Sequence, residues 1–351
     1  MDPADILALI DVLPGRRVAV IGDVVADEFV YGRVARVSRE APVLILEYDS
    51  TQVVPGGGGN AANNVAAMGG VALLASVVGR DEPGRRLIQA LHSRVNARTL
   101  VRPARRTTTV KTRILAGGIH SAKQQVVRID RVASGSLDKA TRDAFFRAAV
   151  SAAIRSDAVL VSDYGGGLVS PAVVSKIRAE MQRAGHPVPI LIDSRYRLLS
   201  YRGLTACTPN ESEVEQALGI KVNDDARTLE RAGREILEQT KMQAVLITRG
   251  SRGMALFVPG SPTVHIPIFG SDEIADVTGA GDTVMAALTL ALAAGATFER
   301  AARLANYAGG LVVMKRGTAT VSAAELREAV RRDGMKRDRA TRSARRKRHR
   351  G

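Results

Sequence analysis

Residues 276–295 read DVTGAGDTVMAALTLALAAG, a glycine pair and an aspartate at the head of a long apolar run. Glycine is a poor helix residue, so Gly279 and Gly281 imply that bare backbone must come close to something anionic. A helix N-terminus presents free N–H groups and a partial positive charge. Aimed at a transferring phosphoryl group, the amides of Gly279, Ala280 and Gly281 would form an anion hole. Asp282 beside them is a candidate base for the proton of an attacking hydroxyl. In the plainer alternative Thr278 and Asp282 merely cap backbone donors, and Gly-Ala-Gly is then unneeded.

Two further stretches have chemical potential. In PGGGGNAANNVAAMGG (55–70), four consecutive glycines permit close approach of a ligand, and Asn60 offers both a donor and an acceptor to sugar hydroxyls. A tight turn with an N-cap explains the same residues. In TPNESE (208–213), Pro209 and Asn210 stop a strand while Glu211 and Glu213 enter a helix. Acids in a first helical turn usually complement the dipole; near nucleotide phosphates they could order Mg²⁺ through water. There is no GxxxxGK[ST], no HExxH, and GDVVAD lacks the GxGxxG spacing of a dinucleotide fold.

These residues need elements to hold them. Strands are expected at 16–23, 71–79, 158–163, 189–193 and 244–250, and helices at 59–70, 82–94, 138–155, 171–184, 211–218 and 227–239. The alternation implies right-handed βαβ crossovers and a mostly parallel sheet with helices on both faces. Ligands bind beyond the carboxyl ends of such strands, where Asp23, Asp163, Asp193, Asn210 and Arg249 collect. Two segments, 28–50 and 107–131, break the rhythm and read as hairpins. Together they would form a small β-sheet lid over the strand ends; an edge extension of the main sheet is the alternative.

The chain has 351 residues, which suits one large α/β domain or two smaller ones, and 45 % of them are hydrophobic. Cys207 is the single cysteine, which excludes an internal disulfide. No apolar run has the length of a membrane span, and the first residues show no cleavage-site pattern. A cytoplasmic enzyme or binding protein is expected. The net charge is +16, and residues 331–351 hold 11 Lys/Arg against 2 Asp/Glu. This segment lacks apolar periodicity and is expected to be a disordered tail. It could touch nucleic acid or an anionic surface, although it has no aromatics to stack on bases; a solvated extension is the plainer reading.

In this order, VIGDVVAD, PGGGGNAANNVAAMGG, TPNESE, ITRGSRG and DVTGAGDTV resemble the ribokinase/PfkB family of sugar kinases. GDVVADEFVYGRVARVSREAPV, KQQVVRID, VLVSDY, YRGLTACTPNESE and VVMKRGTATVSAAEL resemble one branch of it, the D-glycero-β-D-manno-heptose-7-phosphate kinases, found alone or joined to an adenylyltransferase. The resemblance spans about residues 10–330 and implies a ribokinase-like α/β fold with a β-lid, the lid often mediating dimers. It implies that Asp282 deprotonates the sugar hydroxyl, O1 of the heptose phosphate, and that Gly279, Ala280 and Gly281 form the anion hole. It places Asn210, Glu211, Ser212 and Glu213 at the phosphates of ATP and Mg²⁺, with Glu213 reaching the metal through water. Thr248, Gly250 and Asn306 would serve the nucleotide pocket. Asp23, Asp27, Gly57, Gly58, Asn60, Arg113 and Gln125 would face the sugar, and Arg36, Arg113 and Arg128 are candidate contacts to its phosphate.

The chain departs from the branch at several points. Gly166 stands where a lysine is usual after SDY, and Asp193-Ser194-Arg195 replaces a DPK. SREAP (38–42) replaces SPEAP, and residues are added around 117–120. These changes bear on the choice of sugar more than on the reaction. No HxGH motif is present, so adenylyl transfer is expected from another polypeptide. Ribose, a hexose phosphate or a nucleoside remains an alternative acceptor, as does a non-catalytic binding protein that uses the basic tail.

Overall fold

Short, almost wholly apolar strands alternating with amphipathic helices can bury both faces of a sheet, and this chain does so. The computed structural model describes residues 2–117, 123–133, 137–223, 225–270, 276–315 and 317–348, with side chains to residue 335. After helix α1 (Pro3–Asp11) come strand β1 (Arg17–Gly22) and two long strands, β2 (Val24–Val37) and β3 (Leu44–Gly57). Helix α2 (Gly58–Ala67), β4 (Val71–Ala75), α3 (Glu82–Gln89) and the short β5 (Val95–Asn96) follow, then β6 (Val110–Gly117) and β7 (Gln124–Arg131). The chain continues through α4 (Lys139–Ala153), β8 (Ala158–Asp163), α5 (Pro171–Arg183), β9 (Ile190–Ser194), β10 (Ala206–Cys207), α6 (Glu211–Leu218) and α7 (Ala226–Thr240). Strands β11 (Ala244–Thr248), β12 (Met254–Phe257) and β13 (Val264–Ile266) precede α8 (Ala280–Ala293), α9 (Phe298–Val312) and α10 (Ala323–Arg348).

Nine strands form one sheet in the order β13-β12-β11-β10-β9-β8-β1-β4-β5, parallel except for β12 and β13. The antiparallel edge was not legible beforehand, because strands of three and four residues carry no period of their own. Alternate side chains face opposite layers. Val18, Val20, Leu74, Leu160 and Leu246 join a core with α2, α8 and α9. Ile21, Ala75, Val161, Ile192 and Ile247 join a second core with α4, α5 and α7. Helix α8 is apolar nearly all round, which suits its buried position between α2, α9 and the sheet.

Strand order reverses at β1, which has β4 on one side and β8 on the other. Such a reversal leaves a crevice beyond the carboxyl ends of the strands. The second sheet stands over it. Its order is β3-β2-β6-β7, with β2 and β6 parallel and the outer pairs antiparallel. The ribokinase-like fold implied by the sequence is therefore present. The insertion suspected at 117–120 lies largely outside the described residues.

The basic segment from 331 continues α10 to Arg348 instead of beginning a disordered tail. Lack of an apolar stripe does not prevent this. Residues 323–330 already form a helix packed on the core, so later residues meet no nucleation cost, and Arg, Lys, Ala and Met favour propagation. Among the described residues no helix is long and apolar enough to cross a membrane.

Candidate active site

Asp282 sits in the first turn of α8 and is 4 % exposed. Gly279, at φ +77°, turns the chain into that helix. A Cβ there would lie 2.5 Å from the Asn60 amide nitrogen, so the close approach itself requires glycine. The Asn60 Nδ2 donates to Asp282 Oδ2 at 3.0 Å and to the Gly279 carbonyl at 3.2 Å. The Tyr164 hydroxyl donates to Asp282 Oδ1 at 2.9 Å. Burial pushes the Asp282 carboxyl up to about 7, while the Asn60 and Tyr164 hydrogen bonds pull it down; Asp27 raises it and Lys111 lowers it. A carboxyl poised near neutrality is suited to taking a proton.

Asn60 is held in turn. It begins within α2, and its Oδ1 and carbonyl accept from Asn64 Nδ2 at 3.0 and 3.1 Å. At the entry to α2, Gly57 takes φ +57°, and a Cβ on it would lie 2.8 Å from the Asp23 carbonyl. The Gly58 N–H donates to that carbonyl at 2.9 Å. The glycine run thus clamps the start of α2 against the end of β1.

Two clefts flank Asp282, one through its neighbour Gly281 and the other through its partner Tyr164; Asp282, Asn60, Gly57 and Gly58 themselves line neither. One, of about 320 Å³, is lined by Asn210, Thr248, Gly250, Ala280, Gly281, Val284, Asn306 and Gly309, among others. It is apolar with polar groups at its margin, and Gly281 has open space where a side chain would be. Asn210 bridges to Thr248 across strand ends and caps α6 through a reciprocal pair with Glu213. Asn306 Nδ2 is fixed on the Pro267 carbonyl at 2.9 Å. These features fit a flat heterocycle with its phosphates toward the N-terminus of α8.

The other cleft, of about 350 Å³, is lined by Asp23, Tyr164 and Gly166 on the sheet side and by Lys111, Arg128 and Asp130 on the second sheet, with Arg106 and Arg195 at its margin. Asp23 accepts from the Tyr164 and Gly166 N–H groups, both at 3.0 Å. Burial nonetheless raises its carboxyl above the usual range, and Asp163 adds to this. Several cations around one recess, with a polar aspartate at its floor, suit a polyhydroxylated phosphate ester.

Asp193 and Glu213 repel each other and are only partly offset by Arg195; neither lines the first cleft. Burial, then repulsion from Glu213, Asp282 and Asp163, pushes Asp193 well above the usual range. Burial likewise raises Glu213. Such strained acids fit a hydrated divalent cation, although no cluster of three or more ligands occurs among the described residues. Glu211 differs: it pairs with Arg249 at 2.9 Å and with Arg252, so its charge is already met. Ser212 is exposed and lines neither cleft.

Other expected sugar-side residues are placed elsewhere. Asp27 is buried in an ion pair with Arg113 at 2.6 Å and accepts from Thr318. Arg113 therefore offers its guanidinium to the protein, not to the recess. Gln125 and Arg36 are exposed on the second sheet and line neither cleft. A 14-residue strand such as β2 spans about 45 Å, and its outer half overshoots the crevice. Arg128 does reach the recess, held by Asp130 through contacts of 2.7 and 2.6 Å.

Sequence reasoning assigned no role to Tyr164 or Lys111. Tyr164 follows Asp163, a position already marked as a strand end, so one step along the chain was missed. Lys111 had no such signal, since an alternating strand does not announce which face meets a ligand. The departures also acquire reasons. A Cβ at Gly166 would lie 2.7 Å from the Asp23 carboxylate, so a side chain there needs Asp23 to move. Ser194 Oγ donates to the buried Asp163 at 2.9 Å, alongside Tyr201 and Arg197.

Comparison with known proteins places these features in context. Residues 16–325 match the family described as pfkB family carbohydrate kinase. The chain is 40 % identical over 309 residues to the bifunctional protein HldE of Geobacter sulfurreducens, covering 88 % of this chain and 61 % of that protein. To the bifunctional protein HldE of Caulobacter vibrioides it is 44 % identical over 317 residues, covering 89 % and 63 %. The chain thus spans about three fifths of the length of these curated relatives. Among solved structures, Arabidopsis thaliana ribokinase complexed with ribose and ATP superposes with a TM-score of 0.70 at 19 % identity, over 90 % of this chain and 99 % of that one. Escherichia coli phosphofructokinase-2 with substrates and products gives 0.68 at 18 %, over 90 % and 98 %. At such identities the likeness concerns the fold.

Proposed function

The chain belongs to the pfkB family of carbohydrate kinases, and on that premise we propose that it transfers the γ-phosphoryl group of ATP to O1 of D-glycero-β-D-manno-heptose 7-phosphate. The observation that carries this reading is the position of Asp282, whose carboxylate is bonded to Tyr164 of the cationic recess while its neighbour Gly281 lines the apolar cleft. The nucleotide would lie in the apolar cleft, between Thr248, Gly250 and Asn306. The sugar would lie against Asp23 and Asn60, with its 7-phosphate toward Lys111, Arg128 and Arg195. The identity with two bifunctional HldE proteins supports the heptose among phosphorylated sugars.

In this arrangement Asp282 accepts the proton of the sugar hydroxyl as its oxygen attacks the γ-phosphorus in line. The amides of Gly279 and Gly281 would meet the charge that grows on the transferring group, whereas the Ala280 N–H is already donated to the Val277 carbonyl at 3.2 Å. Glu213 and Asp193 would hold Mg²⁺ through water, and the ion supplies neutralisation of phosphate charge. Burial excludes water from the carboxylate, which limits ATP hydrolysis without acceptor. Such chemistry belongs in the cytoplasm, where ATP is made.

The test is ADP release from purified protein across sugars and sugar phosphates. The heptose 7-phosphate is expected to exceed the unphosphorylated heptose by about 100-fold in kcat/KM, the worth of two charge-assisted contacts. Arg195→Ala is expected to cost roughly 10-fold in KM for the phosphorylated sugar and little in KM for the unphosphorylated one. Preference for ribose or a nucleoside, or equal turnover with and without the phosphate, overturns the substrate assignment.

We further propose a homodimer through the second sheet. Val37, Leu44, Tyr48, Val127 and Ile129 are exposed there, an apolar set that a second copy of the chain could cover. Sedimentation at micromolar concentration is expected to give twice the chain mass, and Val127→Glu with Ile129→Glu to return the monomer.

A further inference from the structure

Tyr164 occupies an unusual position for a residue with no assigned part in the reaction. Its ring lies against the Gly57 turn, and its hydroxyl donates to Asp282 Oδ1 at 2.9 Å. Its own N–H donates to Asp23 at 3.0 Å, so the backbone is pinned at the end of β8. The Lys111 ammonium lies 5.1 Å from the ring centroid on its face. A cation over a phenol draws electron density from the ring and strengthens the hydroxyl as a donor. The two oxygens of Asp282 are therefore held differently, Oδ2 by the Asn60 amide and Oδ1 by a phenol with a cation behind it.

We propose that Tyr164, backed by Lys111, is a positioning residue for the base, fixing the Asp282 carboxylate in orientation and keeping it ready to accept a proton. This rests on the reading of Asp282 given above. Burial works against an ionised carboxylate here, and the Tyr164 hydrogen bond is one of two that oppose it. The charged and titratable groups around Asp282 come from several elements: Asp27 of β2, Lys111 of β6, Tyr164 after β8 and Asp193 of β9. The acids raise its proton affinity and Lys111 lowers it. Tyr164 stays protonated throughout the working range, since burial and the Asp282 charge push its own titration well above the usual phenol value. It acts as a fixed donor and takes no proton in the reaction.

The test is the pH dependence of kcat for Tyr164→Phe beside the wild type, with the same sugar phosphate and ATP. Titration of the substrates is common to both and cancels. Loss of the donor leaves the carboxylate harder to ionise, so the acid limb of the profile is expected to move up by about one pH unit. Turnover should fall roughly 10-fold at pH 6.5 and recover toward the wild-type value at pH 9, with KM for ATP unchanged. A deficit equal at every pH, or an acid limb in its wild-type place, overturns the proposal. If Tyr164→Phe fails to fold, 3-fluorotyrosine incorporated at position 164 keeps the shape and strengthens the donor. The limb should then move down, and an unmoved limb overturns the proposal. Asp282→Asn assayed in parallel separates the two claims: if it retains turnover, the base assignment fails, whereas its inactivity with an unmoved Tyr164→Phe limb rejects the role of Tyr164 alone.

Discussion

Asp282→Asn is expected to lower kcat by roughly 10²- to 10⁴-fold, the range for removal of a general base, with little change in the affinity for ATP. The substitution is nearly isosteric. An asparagine oxygen still receives the Asn60 amide, so α8 and the glycine turn should keep their places. The same variant is expected to be more stable than the wild type at neutral pH. The Asp282 carboxyl titrates at about 7 in the fold against 3.8 for an unperturbed aspartate. A group whose folded value is raised favours the fold fully below its unfolded value and loses that contribution as the pH rises through the folded one. Between pH 4 and pH 7 the wild type therefore forfeits on the order of 4 kcal/mol, which asparagine does not. Denaturant unfolding at pH 4 and pH 8 checks this: the advantage of the variant should be small at the first and near its maximum at the second. Loss of turnover coupled to gain of stability marks a residue kept for chemistry. A variant that turns over normally removes Asp282 from the reaction, and one that is merely unstable makes it a structural residue.

Much of this arrangement could be read before any coordinates. The strand at 158–163 and the helix at 211–218 lie at the expected residues because each has unambiguous boundaries. Proline and a reciprocal Asn210–Glu213 cap end one element and begin the next. Asp23 and Asn210, after strand ends, were legible because a parallel sheet gathers such residues at one edge whatever the loops do, and Asp282 because a Gly-Ala-Gly turn opens the apolar helix that carries it. The second sheet was harder. Its existence followed from alternation, but the face that each residue presents depends on register, and irregular pairing near Tyr31 and Ile114 shifts it. Arg113 and Asp27 satisfied each other across β2 and β6, a pairing 86 residues apart that no local pattern contains. Lys111, two residues before Arg113, turned out to face the recess.

Substitution of the two glycines that flank Ala280 should produce opposite effects on stability and a common loss of activity. Gly279 lies at φ +77°, where an L side chain is strained, and its Cβ would stand 2.5 Å from Asn60 Nδ2 and 3.3 Å from Thr318 Cγ2. Gly279→Ala is expected to destabilise by about 2 kcal/mol and to displace the amide that anchors Asp282. Gly281 is already helical and has nothing within 4 Å of the Cβ site. Alanine is the better helix residue, so Gly281→Ala should leave stability equal or raise it by up to about 1 kcal/mol. The added methyl, however, would stand in the cleft at the N-terminus of α8, where the proposed site would bring the terminal phosphate to the amides. Loss of one anion-hole contact is worth about 10²- to 10³-fold, and kcat/KM for ATP is expected to fall by that order. Thermal melts and initial rates on the same preparations decide the matter. If Gly281→Ala is stable and fully active, the phosphate does not use this turn, and the anion hole must be sought elsewhere along the crevice. If both variants fail only by unfolding, the glycines serve the turn and not the ligand. The combination of an intact fold with a lost nucleotide response at 281 is the outcome that a bare-backbone phosphate site requires.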